Sequence, residues 1–365
     1  MIQLVGADIA MVRTVDGSVG EGGGQVLRYA VSTCALLGEE LRVYNIRAKR
    51  NPPGLRPQHI AAIRAVAEVC DAYVEGLSVG SSTIFLRCRR PRAGRYSFDT
   101  GTAGSTALVL QSLLPVLCFA DGECEVELRG GTNNPLAPPI DYIERVLLPA
   151  LSKMGVRAEL EIVRRGFYPR GQGIVRVRTR PIISIRPIQV VEAGIEGIEV
   201  FAYSCNLPDH IVSRMASTAS ELLKKSGFRE VTLETEALRK GDPKNSVDPG
   251  TGILIVVRLD NGLLMGFDAL GERGVPAEEV AKRAVREALD QLASGAPIDK
   301  HLADQLIIWM ALAAGESRIR ATTLTTHAST GITVVGDLTG AKFRTTELGP
   351  RGVEISCQGI AYTPR

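Results

Sequence analysis

Gly20–Arg56 reads GEGGGQVLRYAVSTCALLGEELRVYNIRAKRNPPGLR, and the order of elements in it sets the architecture of the whole chain. A glycine-rich turn opens it, and the apolar segment Val26–Leu37 follows with helical spacing. A strand pattern, Leu41–Ala48, leads to the Pro/Gly loop Asn51–Arg56, and an amphipathic helix, Gln58–Cys70, closes the unit. This order predicts a β/α unit whose loops connect strands to helices.

A second copy of the unit follows. Gly24 and Gly104 lie about 80 residues apart, as do the two Asn-Pro dipeptides, and this period is too long for a solenoid. The predicted elements of this copy are the turn Thr100–Ser105, helix Thr106–Phe119, strand Cys124–Arg129, loop Asn134–Pro139 and helix Ile140–Met154.

A third, more diverged copy is predicted from His301 onward. It comprises helix Leu302–Ala314, strand Ser317–Ala321, a loop containing His327 and the apolar segment Gly331–Leu338. His327 then occupies the position held by the two Asn-Pro loops. We expect three β/α units around a pseudo-threefold axis, with these loops in related positions.

The stretch Ser184–Ser294 does not fit the repeat. Its pattern predicts the order βαβββα, and the Asp260-Asn261-Gly262 turn between two apolar runs indicates a hairpin. The predicted elements are strand Ile195–Ser204, helix Asp209–Ser226, strand Arg229–Thr235, strands Ile253–Leu259 and Leu263–Leu270, and helix Ala277–Leu292. The sequence therefore predicts an α/β (α+β) fold, with a catalytic domain at residues 1–183 and 295–365 and an inserted domain at residues 184–294.

Composition narrows the class of protein. The net charge of +3 over 365 residues argues against non-specific polyanion binding as the main role. The seven cysteines lack CxxC spacing, which predicts buried thiols in a reducing compartment. We expect a cytoplasmic protein, since neither a signal peptide nor a membrane-spanning apolar run is visible.

Basic residues cluster at two places in the sequence, where they could neutralise phosphates or form a solvated face. The first cluster is Arg47, Lys49, Arg50 and Arg56, and the second is Arg87, Arg89, Arg90, Arg92 and Arg95.

His327 lies among small polar residues in Thr322–Ile332, TTLTTHASTGI, and not on an apolar helix face. Such a histidine can be a nucleophile or a general base, or it can be a hydrogen-bonded structural residue. Glu21 stands in a glycine-rich turn whose N–H groups suit an anion. A carboxylate beside a bound phosphate needs a cation between them, so Glu21 is a candidate divalent-metal ligand, or else a solvated turn residue.

Two further motifs carry polar groups. Asp304 and Gln305 fall near the start of the predicted third-unit helix, where an Asp is commonly a partner of the helix dipole. Arg47–His59, RAKRNPPGLRPQH, combines four cations with a stiff turn and suits a terminal phosphate. His59 fits a packing role on its helix.

An ordered series of long motifs resembles the RNA 3′-terminal phosphate cyclase family over nearly the whole chain. The series is DGSVGEGGGQVLR, RAKRNPPGLRPQH, GTAGSTALVLQSLLP, GGTNNPLAPPIDYI, RGFYPRGQG, HLADQLIIWMALA and THAST. The resemblance implies three repeated β/α units with an inserted thioredoxin-like domain. It also implies an ATP-dependent reaction that converts an RNA 3′-phosphate to a 2′,3′-cyclic phosphate through histidine–AMP and RNA-adenylate intermediates.

The resemblance also assigns roles by position. It implies His327 as the nucleophile, Glu21 as the ligand of Mg²⁺ or Mn²⁺, and Arg28 near the nucleotide phosphates. Arg47 and Arg50 are expected to hold the RNA phosphate. The residues implied to line the adenosine pocket are Gln111, Pro138, Tyr142, His301, Asp304 and Gln305. The expected partners are ATP and RNA with a 3′-phosphate end, with no membrane, and the expected state is a monomer or homodimer.

Two alternatives stay open. A non-catalytic cyclase-like protein of ribosomal RNA processing would lack the nucleophilic histidine, and His327 argues against it. An enolpyruvyl transferase shares a similar repeat unit, but its substrate motifs are not visible in this sequence.

Overall fold

The computed structural model describes residues 12–364, and in this part of the chain four four-stranded sheets pack with helices in a mixed α/β fold. The ends of the predicted catalytic-domain range, residues 1–11 and 365, lie outside the described residues. No helix in residues 12–364 has both the length and the apolar character needed to cross a bilayer.

The first unit has the order βαβαββ. Its elements are β1 (Val12–Asp16), α1 (Gly24–Leu37), β2 (Glu40–Tyr44), α2 (Pro57–Val69), β3 (Tyr73–Glu75) and β4 (Ile84–Arg87). The sheet order is β1-β2-β4-β3, with β1 and β2 parallel and the other pairs antiparallel. Strand β2 ends before the predicted Ala48, because Asn45 and Arg47 have left-handed φ values of 53° and 51°.

The second unit repeats this topology. Its elements are β5 (Gly94–Asp99), α3 (Thr106–Cys118), β6 (Cys124–Gly130), α4 (Ile140–Tyr142), a π-helical turn (Ile143–Leu147), α5 (Leu148–Lys153), β7 (Arg157–Arg164) and β8 (Gly173–Arg180). The sheet order β5-β6-β8-β7 has the same pairing senses as the first. The predicted continuous helix Ile140–Met154 is interrupted by the π-helical turn just before Pro149, which has no N–H to donate.

The third unit begins before the insert. Its elements are β9 (Gln189–Val190), α8 (Lys300–Leu312), β14 (Glu316–Ala321), α9 (Thr326–Thr339), β15 (Lys342–Glu347) and β16 (Val353–Gln358). The sheet order β9-β14-β16-β15 and its pairing senses match those of the other two units. The predicted start at His301 was wrong, because β9 pairs with Arg318 and Ile319 of β14. The pseudo-threefold arrangement stays a prediction.

The insert separates β9 from α8 and has the predicted order βαβββα. Its elements are β10 (Ile195–Cys205), α6 (His210–Lys225), β11 (Val231–Leu238), β12 (Gly250–Leu259), β13 (Leu264–Leu270) and α7 (Ala277–Leu292). The sheet order is β11-β10-β12-β13. Strands β12 and β13 form the predicted hairpin, in which Gly262 takes a φ of 72° that only glycine adopts freely.

The core explains the cysteine pattern and the position of the site. All seven cysteines are free and buried, as the sequence predicted. Helix α8 is buried from Leu302 to Leu312, so it runs through the interior and carries Asp304 and Gln305 inward. Connections that follow the parallel strands β1, β2 and β14 bring the glycine-rich turn, the basic loop and His327 together.

Candidate active site

His327 lies in the first turn of α9, not in the preceding loop as predicted. Thr325 is the N-cap, and its side-chain oxygen accepts a hydrogen bond of 2.9 Å from the backbone N–H of Ala328. The helix therefore fixes the histidine backbone, while half of the imidazole (52 %) remains exposed.

The two nitrogens of the His327 ring face different carboxylates. Nε2 lies 3.6 Å from Oε2 of Glu21, and Nδ1 lies 3.9 Å from Oδ2 of Asp304. Burial lowers the pKa of His327 below its usual value; Glu21 raises it, and Arg28 and Arg50 lower it further. The imidazole is therefore mainly neutral at physiological pH, which is the nucleophilic form.

Asp304 is a buried carboxyl group and not an exposed partner of the helix dipole. Burial raises its pKa to about 7, even though the Thr325 hydroxyl hydrogen-bonds to it. The hydroxyl of Tyr29 donates to the backbone carbonyl of Asp304 and fixes the helix at this point. Gln25 donates from its side-chain amide to the carbonyl of His327 at 2.6 Å. Helices α1, α8 and α9 thus meet around the histidine.

Glu21 and Arg50 form an ion pair at the mouth of the site. The Arg50 guanidinium donates to Oε2 of Glu21 at 2.7 Å, and both side chains are more than two-fifths exposed. Lys49 donates to the carbonyl of Gly20 at 3.1 Å. The glycine-rich turn is close-packed, because a Cβ on Gly20 would lie 2.1 Å from Oγ1 of Thr330. The predicted metal ligand and phosphate-binding arginine are therefore neighbours.

Arg47 braces the loop that carries Arg50. Its guanidinium donates to the carbonyls of Pro52 at 2.8 Å and of Gly54 at 3.1 Å. Burial lowers the pKa of Arg47, and the charges of Arg56 and Arg50 lower it further. A concentration of like charges that a loop holds in place is suited to an anion.

The other predicted nucleotide-binding residues fall into two groups. Arg28 donates to the side-chain oxygen of Gln111 at 2.8 Å, and burial lowers the pKa of Arg28 to about 10, so that it stays cationic. Gln111 and Gln305 line one small cleft together with Tyr29. This first group lies close to the helix that presents Asp304.

The second group lies farther inside. Tyr142 is fully buried, its hydroxyl donates to Oδ1 of Asp299 at 2.8 Å, and its ring packs edge-on against His301 with centroids 6.2 Å apart. The backbone of Gly266 in the insert covers Tyr142, since a Cβ there would lie 2.6 Å from the ring. His301 and Pro138 are partly buried. Tyr142 therefore supports His301 in this conformation and presents no free surface to a ligand.

Sequence reasoning did not identify three residues that position the site. Gln25, Tyr29 and Thr325 hold the backbones of His327 and Asp304 or the side chain of Asp304. A signal for Thr325 was present, because a threonine directly before a helix is a common N-cap. The Gln25 and Tyr29 contacts join residues far apart in sequence and leave no local signal.

The residues fit a divalent cation that arrives with a nucleotide. Within residues 12–364, no group of three or more His, Cys, Asp or Glu side chains could form a preformed metal cage. Mg²⁺ commonly uses only one or two carboxylates together with water and substrate phosphates. The accessible carboxylate of Glu21, beside the cationic loop, suits that arrangement.

Comparisons with known proteins identify the family of this chain. A family model described as RNA 3′-terminal phosphate cyclase matches residues 19–345, which include His327 and all the site residues above. This chain belongs to the RNA 3′-terminal phosphate cyclase family. Three similar curated proteins carry the name RNA 3′-terminal phosphate cyclase. They come from Desulfurococcus amylolyticus (44 % identical; 96 % of this chain, 99 % of the relative), Pyrobaculum neutrophilum (40 %; 96 % and 100 %) and Methanopyrus kandleri (42 %; 94 % and 99 %).

Membership of the cyclase family sets the chemistry to be explained. The name of the family specifies a terminal phosphate of RNA, and the candidate site combines a neutral histidine, an accessible carboxylate and two arginines on one loop. The three relatives above are all named as cyclases, and none of the three is named as an enolpyruvyl transferase.

Proposed function

We propose that this protein is an ATP-dependent RNA 3′-terminal phosphate cyclase that works through a covalent histidine–AMP intermediate on His327. The observation that carries the proposal is the position of Nε2 of His327. The His327 side chain is half-exposed, and Nε2 lies 3.6 Å from Oε2 of Glu21, the candidate metal ligand, which pairs in turn with Arg50 of the basic loop. A neutral imidazole here can attack the α-phosphorus of ATP, and pyrophosphate leaves.

The following steps use the same residues. A phosphate oxygen of the RNA end, held by the loop of Arg47 and Arg50, attacks the phosphorus of the histidine adduct, and the His327–phosphorus bond breaks. The RNA 2′-OH then attacks the 3′-phosphorus, loses its proton, and expels AMP to give the 2′,3′-cyclic phosphate. Fixed guanidinium groups are suited to stabilising the negative charge that develops at each transfer.

The proposal also assigns roles to the residues around the nucleotide and the metal. Gln111, Gln305, Asp304, His301, Pro138 and Tyr142 would surround or support the adenosine, and Arg28 would lie near its phosphates. Mg²⁺ or Mn²⁺ on Glu21 would supply charge neutralisation for the triphosphate. We further propose a cytoplasmic monomer or homodimer, with three units arranged around a pseudo-threefold axis.

One experiment tests the covalent step. The protein is incubated with α-³²P-labelled ATP and Mg²⁺, and the protein-bound label is assayed for acid lability and base stability. His327→Ala should carry no label, whereas His210→Ala, which changes an exposed histidine at the start of α6, should be labelled like the wild type. Label that survives His327→Ala would disprove the mechanism. The second candidate, a non-catalytic family member in ribosomal RNA processing, predicts no label on either protein.

A further inference from the structure

One motif in the sequence has no role in the chemistry above. The motif RGFYPRGQG, Arg165–Gly173, connects β7 to the first residue of β8, and its exposed tip is formed by Tyr168, Pro169 and Arg170. Tyr168 is 74 % exposed, although large aromatic side chains are usually covered. On the neighbouring loop, Leu136 is fully exposed.

The loop holds this aromatic side chain on a fixed support. Phe167, directly before Tyr168, is buried, and its ring packs so closely on Gly250 of the insert that a Cβ there would lie 2.1 Å away. On the other side, the backbone N–H and Nε of Arg170 both donate to the buried Asp248 at 2.9 Å. The N–H of Gly171 donates to the carbonyl of Phe167 at 2.7 Å. The exposed ring is therefore anchored from both flanks.

A chain of close contacts connects this tip to the basic loop. A Cβ on Gly171 would lie 2.7 Å from Cα of Ala103, and one on Gly104 would lie 3.3 Å from Cβ of Gln58. Gln58 is in the first turn of α2, directly after the loop that carries Arg47 and Arg50. The floor between the two loops is the segment Thr100–Ser105, TGTAGS, which has only small side chains.

We propose that Tyr168 is a stacking site for a base of the single-stranded RNA that precedes the 3′-phosphate. A strand whose terminal phosphate lies at the Arg50 loop would cross the small-residue floor and reach the Tyr168 tip. Exposed aromatic rings bind unpaired bases by stacking, with little dependence on sequence. The Arg170 side chain next to Tyr168 is paired with Asp248 but remains more than half exposed, so its guanidinium can also donate to a phosphate oxygen of the strand. The inference rests on the proposed function for the identity of the ligand.

The test measures binding and turnover separately. Fluorescence anisotropy gives the Kd of a 5′-labelled, 3′-phosphorylated single-stranded oligoribonucleotide, and steady-state assays give kcat and KM for it and for a 3′-phosphorylated dinucleotide. In Tyr168→Ala we expect Kd and KM for the oligonucleotide to rise about tenfold. We expect kcat, the dinucleotide KM and histidine labelling by ATP to be unchanged.

Two control variants test whether a change in RNA binding is due to loss of the aromatic ring at position 168. Tyr168→Trp retains a stacking surface and should bind the oligonucleotide like the wild type. Tyr73→Ala removes another exposed tyrosine (51 % exposed) from β3 of the first unit, and should also leave oligonucleotide binding unchanged. Thermal unfolding of each variant confirms that its fold is intact.

The outcomes separate this inference from the proposed function. Unchanged oligonucleotide Kd and KM in Tyr168→Ala, with normal cyclisation, would overturn the stacking site and leave the function standing. Tyr168-dependent binding without any cyclisation would support the stacking site and count against the function. A change in oligomeric state of Tyr168→Ala, without a change in RNA affinity, would assign the surface to a second copy of the chain and overturn the inference.

Discussion

Oδ2 of Asp304 lies 3.9 Å from Nδ1 of His327, on the opposite side of the imidazole from Glu21. The Glu21 carboxylate favours a proton on Nε2, but a cation on Glu21 would repel that proton. The tautomer with its proton on Nδ1, facing Asp304, would then be favoured, and the lone pair would lie on Nε2. Nε2 is the nitrogen that faces the exposed carboxylate and the basic loop. The buried side of the site faces Nδ1, and under the proposed function the open side would receive the substrate.

Asp304→Asn should change the pH dependence of stability. Burial raises the Asp304 pKa from 3.8 to about 7, so the folded protein binds this proton more tightly than the unfolded chain. The resulting stabilisation is fully present below the unfolded pKa and is lost as pH rises through about 7. We expect the free energy of unfolding of the wild type, relative to the Asn variant, to fall between about pH 5 and about pH 8.

Urea denaturation of both proteins at the two pH values measures this difference. Asp268, another carboxyl whose pKa burial raises to about 7, titrates in both proteins, so its contribution cancels. A difference in unfolding free energy that stays constant across the range would show that Asp304 is ionised throughout. The Asn variant should also lose labelling by ATP if the carboxyl orients His327.

Glu21→Gln should weaken the response to the metal and shift the pH profile. The amide loses the charge that suits Mg²⁺, so we expect histidine labelling to fall about 100-fold at low Mg²⁺ and to recover partly at high Mg²⁺. Glu21 also raises the pKa of His327, so its removal should move the acid limb of labelling to lower pH. The control is Glu39→Gln, which breaks the Arg13–Glu39 ion pair of the same unit. Equal Mg²⁺ requirements in both variants would show that Glu21 does not bind the metal.

Some elements were predictable because their signals are local. Helix Ala277–Leu292 starts and ends where the sequence placed it, since Pro276 stands directly before its first residue and the apolar spacing is regular. Strand β9 has only two residues, so no alternation can reveal it. Its place in the third sheet depends on pairing with β14, more than 120 residues later, which only tertiary structure shows.

For the site residues too, the sequence showed the local features and could not show the contacts between distant segments. The glycine-rich turn and His327 carry recognisable residue types, and in the structure Nε2 of His327 lies 3.6 Å from Oε2 of Glu21. The sequence could not show that Arg50 reaches Glu21, because 29 residues separate them and the contact depends on how two loops fold. It also could not show that Tyr142 is covered, because the cover is the backbone of Gly266 in the inserted domain.

Gly24→Ala should destabilise the protein through His59. A Cβ at position 24 would lie 2.3 Å from Nε2 of His59, a buried imidazole whose Nδ1 accepts the backbone N–H of Arg56 at 3.1 Å. We expect a loss of about 1–3 kcal/mol in the free energy of unfolding, as for other overpacked sites. In a His59→Ala background the same change should cost at least about 1 kcal/mol less.

Urea denaturation of the two single variants and the double variant measures this coupling. Gly23→Ala is the matched control, because its Cβ would lie an ordinary 3.7 Å from the nearest atom, Nη2 of Arg50. Strictly additive costs for Gly24→Ala and His59→Ala would show that the two residues do not interact.

Arg165→Met should loosen the attachment of the insert to the second unit. The fully buried Arg165 donates to both oxygens of Asp141, at 2.7 and 3.0 Å, and to Glu236 of β11 at 2.5 Å. Arg165 lowers the pKa of Asp141 despite burial, so the variant leaves an unpaired buried charge. We expect a cost of about 3–5 kcal/mol in the free energy of unfolding, measured by urea denaturation, and a smaller total cost when Asp141→Asn is added.

The control is Arg214→Met, which breaks the exposed ion pair with Glu278 and should cost at most about 1 kcal/mol in the free energy of unfolding. Equal costs for the two arginines would show that the buried network does not hold the insert in place.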